Sequence, residues 1–258
     1  MFSNRYPTFA KGRILKIEML ENLRDYPRNF IQLRYQDYSD GIISGAQVLV
    51  HRDHLSITSG IIKHAGQIYL LEADQQIPYR NTGKETVVKI RFYEAVEGND
   101  FTTRDAELVL DEAVQVRPYE RELGRFKLKE GSRLRSDYQN LADFTTEFNT
   151  LNLIHVEYAG LTSPTLAPAI LRYFAGEMLR CGCSHPYDIA FAMQCLNQET
   201  VERDVILHYI GNRLGTGYRD MTHPQIHKYL VRILDEVKGG GRARLDARQG
   251  GPQRMIVE

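Results

Sequence analysis

Three histidines near the N-terminal end are the residues whose type and spacing come closest to a metal site. His51, His54 and His64 lie in the stretch SDGIISGAQVLVHRDHLSITSGIIKHAGQIYLLE, residues 39–72. Histidine is a common metal ligand, and two of these are three positions apart. The apolar runs on both sides predict strands, however, so the three histidines lie at the exposed tip and flank of hairpins. Because supporting ligands are also lacking, we predict no metal site.

Three further histidines lie at or near predicted helix starts. His223 and His227 are one helical turn apart, which is a spacing that can bind zinc, but no HExxH motif accompanies them. We expect these two side chains and His185 to be solvated.

The three cysteines do not form a recognisable framework. Cys181, Cys183 and Cys195 make an odd count, which argues against a set of disulfides. Cys181 and Cys183 are separated by one residue and not by the two that are usual in zinc and redox motifs. Cys195 follows the apolar run DIAFAM and is predicted to be a core residue.

Motifs for phosphate binding or covalent catalysis are incomplete. In YRNTGKET, Glu85 stands where a phosphate loop needs a hydroxyl, and GIIKHAG lies between predicted strands and opens no helix. No GxSxG motif occurs, and Ser44 and Ser59 precede glycines as turn serines often do. We predict no catalytic residue and no cofactor.

Two pairs of carboxylates lie close enough in sequence to be candidate acid–base groups. Asp111 with Glu112, and Glu120 with Glu122, lie in polar stretches, where ionised and solvated side chains are expected. An enzyme whose site is assembled from distant residues stays an alternative, because such a site leaves no local motif.

Composition gives no support to several classes of function. The chain has 258 residues, with 33 Lys and Arg against 33 Asp and Glu, so no global charge favours nucleic acid or an anionic membrane. No apolar run approaches the roughly 18 residues that span a bilayer, and MFSNRYPTFAKGR lacks the apolar segment of a secretory signal. We therefore expect a cytoplasmic protein without membrane insertion.

The pattern of the first half predicts mostly strands. ILKIEMLENL, from Ile14 to Leu23, predicts a short helix that Pro27 ends, and FIQLRYQDY alternates like a half-buried strand. Short runs rich in β-branched and aromatic residues follow as far as about residue 135, divided by Gly, Asp or Ser. They predict an antiparallel β-sandwich or β-meander, with Lys, Arg and Glu on its outer faces.

The second half predicts helices. SPTLAPAILRYFAGEMLRCG places Leu166, Ile170, Phe174 and Met178 on one face, and three more amphipathic segments follow it. The fold class is therefore α+β, with a C-terminal small helix bundle. We predict an N-terminal docking segment (1–27), a β-rich shell domain (28–150), a helical bundle domain (151–238) and a disordered glycine-rich tail (239–258).

The order of these parts resembles a known group of proteins. A DG turn, an alternating strand, a glycine step and a closing strand, preceded by KGRILKIEMLENLRDYP, are similar to the N-terminal domains of phage tail-fibre and baseplate proteins. They are also similar to the N-terminal shell of TssK-type subunits of type VI secretion baseplates. The matching residues are Asp40, Gly41, Gly45, Leu55, Ile57, Gly60, Gly66, Ile68 and Tyr69.

This resemblance implies a structural adaptor that acts by oligomerisation and docking in a tail-like particle or virion, with no catalytic residues. Its implied partners are other baseplate or tail proteins and further copies of itself, as a trimer or another homo-oligomer. One alternative is a carbohydrate- or receptor-binding tail-fibre module, for which 15 tyrosines could supply stacking surfaces although tryptophan is lacking. Enzymes and nucleic-acid-binding proteins without a local motif are the further alternatives.

Overall fold

A long N-terminal helix stands where the sequence predicted a short helix and then a strand. In the computed structural model, which describes residues 2–247 and side chains as far as Gly239, helix α1 spans Ile17–Arg34. The predicted helix end at Pro27 and the predicted strand from Phe30 are therefore wrong. Proline removes one backbone hydrogen bond, but the apolar positions on both sides of it keep the 3.6-residue repeat of one helix.

Eleven strands follow α1 in the described part of the chain, and all their pairings are antiparallel. Three sheets have three strands each, in the orders β1-β4-β5, β2-β3-β6 and β10-β7-β11, and β8 pairs with β9. This confirms the predicted antiparallel β part of an α+β fold. The strands are β1 Gly41–Gly45, β2 Val48–Val50, β3 His54–Ile57, β4 Gly60–His64, β5 Gln67–Leu71, β6 Gln75–Pro78, β7 Glu85–Phe92, β8 Val96–Glu97, β9 Thr102–Thr103, β10 Ala106–Asp111 and β11 Glu120–Lys127.

Two glycines, Gly45 and Gly60, allow the backbones of β1 and β4 to approach closely. Gly45 on β1 is the register partner of Gly60 on β4. A Cβ atom at Gly60 would lie 2.3 Å from the amide nitrogen of Ala46, far inside van der Waals contact. Gly66, with a φ of 73°, instead occupies the β4–β5 turn, as the sequence predicted.

A buried ionic cluster lies at the centre of the sheet β10-β7-β11. Lys89 on β7 is fully buried, and its Nζ lies 3.2 Å from Glu120 Oε2 and 3.2 Å from Asp111 Oδ2. The same amine donates to the carbonyl oxygens of Ala113 (2.6 Å) and Gln115 (2.8 Å). Lys89 thereby holds the loop after β10 against the sheet.

Glu120 and Glu122 are buried, which corrects the prediction that both are solvated. Burial alone would raise the pKa of Glu120, but the Arg117 amide, Arg91 and Lys89 together hold that pKa below its usual value. Glu122 accepts from Arg125 at 2.6 Å. The charged residues predicted for outer faces thus form ion pairs on a covered face of this sheet.

The polar segment between β11 and α2, residues 128–167 and here named the connecting segment, is part of the core. It contains a short 3-10 helix, Leu141–Thr145, and it crosses the sheets through isolated bridges from Asn152 to Arg125 and from Tyr158 to Ile42. Several of its apolar side chains are buried among those of the strands and helices: Leu141, Phe144, Leu151, Ile154 and Val156. The lack of periodicity in its sequence reflects this irregular path.

Four helices complete the chain and confirm the predicted helical second half. They are α2 Pro168–Arg180, α3 Pro186–Asn197, α4 Arg203–Leu214 and α5 His223–Ala247. Their buried side chains form one contiguous cluster with those of the sheets, from Ile42 to Leu234. Helix α5 includes residues 239–247, which the sequence predicted to be disordered, and residues 248–258 of that predicted tail lie outside the described residues.

Two histidines fasten the start of α5 to the connecting segment. His227 Nε2 lies 2.7 Å from the carbonyl oxygen of Leu141. His223 is also buried, and burial together with the nearby Arg203 charge lowers its pKa to about 4. The prediction that these two side chains are solvated is therefore wrong, because the connecting segment covers the helix start.

Replacing Lys89 by methionine is expected to destabilise the fold by about 3–5 kcal/mol, since buried Glu120 would keep only Arg91 as its cation and the carbonyls of Ala113 and Gln115 would lose their donor. The measurement is the free energy of unfolding in urea. The matched control is Lys84→Met, which removes an ion pair with Glu112 whose side chains are 70% and 46% exposed. That control should cost less than about 1 kcal/mol, and equal losses in the two variants would contradict the role of burial.

Stability is expected to fall as the pH is lowered from 6.5 towards 4, because His223 has an ordinary pKa of 6.5 and a folded-state pKa of about 4. In that window the unfolded chain binds a proton that the folded chain excludes. The full effect of this residue is roughly 3 kcal/mol. Unfolding curves of the wild type and of His223→Gln at several pH values measure it, and an unchanged pH slope in the variant would count against the assignment.

Candidate functional site

Helix α1 is the most exposed apolar element of the described chain. None of its 18 residues is buried. Five large apolar side chains each leave between 49% and 65% of their surface exposed: Leu20, Leu23, Tyr26, Phe30 and Leu33. Burying such a side chain contributes about 1.5–3 kcal/mol, so a partner that covered several of them would gain substantially.

The charges on α1 are arranged around this apolar surface. At about 100° per residue, Met19, Leu23, Tyr26, Phe30 and Leu33 form one stripe. Lys16 and Arg34 lie along one edge of the stripe, and Asn22, Asn29 and Glu18 lie along the other edge. The apolar stripe therefore has one basic edge and one polar, partly acidic edge.

The C-terminal end of α1 is held by a single lysine. Lys63, on β4, is 7% exposed, and its Nζ donates to the carbonyl oxygens of Tyr35 (2.6 Å), Gln36 (3.0 Å) and Tyr38 (2.6 Å). Tyr35 is the C-cap residue of α1, and Gln36 and Tyr38 follow it, so the buried ammonium binds the turn that links the helix to β1. This contact fixes where α1 leaves the sheet.

Aromatic contacts strengthen the same joint. The Arg34 guanidinium lies 5.5 Å from the Tyr35 ring centre and 5.8 Å from that of Tyr38, and the two rings meet edge to face. Next to this joint, Phe30, Ile31 and Arg34 of α1 line one cleft together with Ile61, Ile68 and Leu70 of β4 and β5.

A polar cleft between β11 and the connecting segment is the alternative place for chemistry. It is lined by Arg117, Arg121, Glu122, Arg125, His155 and Glu157. Two of its guanidinium groups have carboxylate partners within the protein, Arg121 with Asp40 at 2.9 Å and Arg125 with Glu122 at 2.6 Å. Burial raises the pKa of Glu157 and lowers that of His155. These internal ion pairs indicate a structural role for the charged residues of the cleft.

The histidines considered for a metal do not converge. His51 is exposed and stacks on His54, with ring centres 4.5 Å apart, and His54 Nδ1 lies 2.8 Å from Asp53 Oδ1. His64 is buried and stacks on Phe92 at 4.0 Å, so it is not the exposed hairpin flank that was predicted. Among the residues that the structure describes, no group of three His, Cys, Asp or Glu side chains is placed to hold a metal ion.

The remaining candidates are dispersed over the fold. Cys195 is buried on α3, as predicted, and burial raises the pKa of its thiol to about 12. Cys181 and Cys183 are partly exposed after α2. Glu112 pairs with exposed Lys84, and the Ala113 amide lowers the pKa of Asp111.

Lys63 is the residue of this site that the sequence did not identify. The sequence feature that could have identified it is a single lysine inside the apolar run GIIKHAG. Lys89 is likewise a single lysine inside the run VVKIRF. A lysine in the middle of a buried strand needs a partner, but the sequence cannot name carbonyl groups 25 to 28 positions away as that partner. No helix within residues 2–247 is long and apolar enough to cross a membrane.

Replacing Lys63 by methionine is expected to release the C-terminal end of α1, since the carbonyls of Tyr35, Gln36 and Tyr38 lose their common donor. Hydrogen exchange should become at least tenfold faster for amides in the last two turns of α1. Lys238→Met, which removes an exposed pair with Glu177, is the control. Unchanged protection of α1 in the Lys63 variant would refute this anchoring.

The comparisons with known proteins find distant structural likeness. No protein-family model and no curated protein matches the sequence. A crystal structure of TssK superimposes with a TM-score of 0.42 and 7% identity, over 93% of this chain and 72% of that one. A chain of the type VI secretion system TssK-TssF-TssG baseplate subcomplex, determined by cryo-electron microscopy, superimposes with a TM-score of 0.36 and 10% identity, over 93% of this chain and all of that one.

Proposed function

We propose that this protein is a structural adaptor subunit of a baseplate-like assembly, and that it acts by oligomerisation and by docking through α1. The observation that carries the proposal is an 18-residue helix without a buried residue, whose apolar side chains are exposed. Its partners are copies of itself and other subunits of the particle in which it is assembled.

The energetics of α1 support a covered state. Isolated helices shorter than about 12–15 residues are only marginally stable in water, and most of the stability of protein helices comes from tertiary packing. Pro27 lies inside α1, where an interior proline costs roughly 3 kcal/mol. A helix with this defect and no buried side chain lacks the tertiary packing that normally stabilises helices. A partner that covers the apolar stripe supplies that packing.

The anchoring of α1 supports a docking role as well. Lys63 fixes the end of the helix to β4, so the apolar stripe is presented from a defined position. Docking elements held on rigid scaffolds lose less entropy on binding than free segments do. The division of the chain into a docking segment, a shell and a bundle, with boundaries at residues 27 and 150, stays a prediction.

The wild-type protein is expected to form a stable trimer or another closed homo-oligomer, and the double variant Leu23→Ser/Phe30→Ser should be a monomer. Each apolar anchor in such an interface contributes about 2 kcal/mol or more, so its loss weakens association roughly thirtyfold. Size-exclusion chromatography with light scattering measures the mass against the 29.7 kDa of one chain.

The control for this experiment is Met193→Ser/Leu196→Ser on α3. These two side chains are 49% and 45% exposed, similar to Leu23, but they lie outside α1. The control should keep the wild-type mass, and thermal unfolding checks that all variants remain folded. A wild-type protein that is strictly monomeric at high concentration would refute the adaptor.

A further inference from the structure

A second exposed arm extends from the sheet β10-β7-β11. Every residue from 93 to 107 is exposed, and this segment, here named the acidic hairpin, continues β7 and β10 beyond the sheet. Its strands β8 and β9 pair through Val96 with Thr103 and Glu97 with Thr102. The Gly98 amide closes the tip by donating to the carbonyl of Phe101 at 2.8 Å.

The acidic hairpin combines charge with apolar surface. It contains five acidic residues and one basic residue, Arg104. Within the described part of the chain, none of these five carboxylates makes an ion pair, and Glu107 accepts a hydrogen bond from the Tyr93 hydroxyl at 2.6 Å. Tyr93, Val96 and Phe101 are 46%, 66% and 79% exposed. An isolated hairpin of this kind has little stability of its own and needs a covering partner.

The N-terminal region has the complementary chemistry. Residues 2–34, here named the basic arm, contain seven basic and three acidic residues. Six of these cations make no ion pair among the described residues: Arg5, Lys11, Arg13, Lys16, Arg28 and Arg34. The arm also carries the apolar stripe of α1. Each arm therefore offers apolar side chains together with an excess of the charge that the other lacks.

Both arms belong to one chain but do not meet in it. No hydrogen bond or ion pair joins residues 2–34 to residues 93–107 in the described structure, and both segments are exposed. Their lengths correspond, because 18 helical residues span about 27 Å and a hairpin of two seven-residue arms spans about 23 Å. The complement of each arm is thus available on another copy.

We propose that the basic arm of one copy docks along the acidic hairpin of the next copy. This proposal rests on the proposed function and names the partner of its docking helix. Helix α1 itself carries three basic and three acidic residues, so the excess positive charge that matches the acidic hairpin lies in residues 2–16, which contain four basic residues and no acidic one. Since the two surfaces differ, the contact is heterologous, and repetition of it closes a ring when the rotation between copies permits.

Complementation between two variants tests the proposal with the full chain. Leu23→Ser/Phe30→Ser disables the basic arm, and Val96→Ser/Phe101→Ser disables the acidic hairpin. Each variant alone should have the monomer mass of 29.7 kDa. A 1:1 mixture retains one intact pair of surfaces, so it should form a dimer and no larger species by light scattering.

Charge exchange gives a second readout that does not depend on apolar contacts. Arg13→Glu/Lys16→Glu and Glu94→Lys/Glu97→Lys should each weaken the oligomer at least tenfold, and the variant with all four changes should recover most of the loss. Circular dichroism confirms that each variant is folded.

The outcomes separate the two proposals. If the hairpin variant keeps the wild-type oligomer while the α1 variant is monomeric, α1 docks elsewhere, and this inference is overturned while the adaptor function stands. The same holds if both variants are monomeric and their mixture forms no dimer. If the wild type itself is monomeric, the proposed function fails.

Discussion

The position of α1 depends on one buried ammonium group. Lys63 gives its three hydrogen bonds to carbonyl oxygens at the end of the helix, and nothing else in the described chain buries a residue of α1. On an uncovered strand, a lysine at this position would face solvent. Here the turn after α1 covers the side chain, and its carbonyl oxygens accept the hydrogen bonds of the ammonium group. The proposed docking function rests on this contact because an unanchored helix would present its stripe from no defined position.

Lys89 solves the same physical problem in a different way. Both lysines lie in the middle of apolar strands, and both donate to backbone carbonyl oxygens of a segment outside the strands, before β1 for Lys63 and between β10 and β11 for Lys89. Lys89 also has two carboxylate partners, so its cluster balances charge and fastens a loop, whereas Lys63 relies on carbonyl dipoles alone. The fold thus uses buried cations to attach irregular segments that hydrophobic packing does not hold.

The sequence predicted the α+β class, the short strands after residue 45 and the four C-terminal helices, because these have clear periodicity and turn residues. The predicted helix end at Pro27 was wrong, because the apolar residues on both sides of the proline keep the repeat of one helix. The predicted strand at Phe30 was also wrong, because such a short apolar run fits the period of a strand as well as that of a helix. The sequence also failed for Glu120, His64 and His223, since burial of these polar groups depends on segments distant in sequence. The sequence indicates that α1 has an apolar face, but it does not show that this face is left exposed in the folded chain.

Pro27 divides α1 into two parts with different sources of stability. Residues 28–34 lie next to the Lys63 joint and are held by it, whereas residues 17–26 lie beyond the proline, where one backbone hydrogen bond is lost. In the proposed docking, residues 17–26 would therefore depend on the covering partner more strongly than residues 28–34 do, because the Lys63 contact does not reach them.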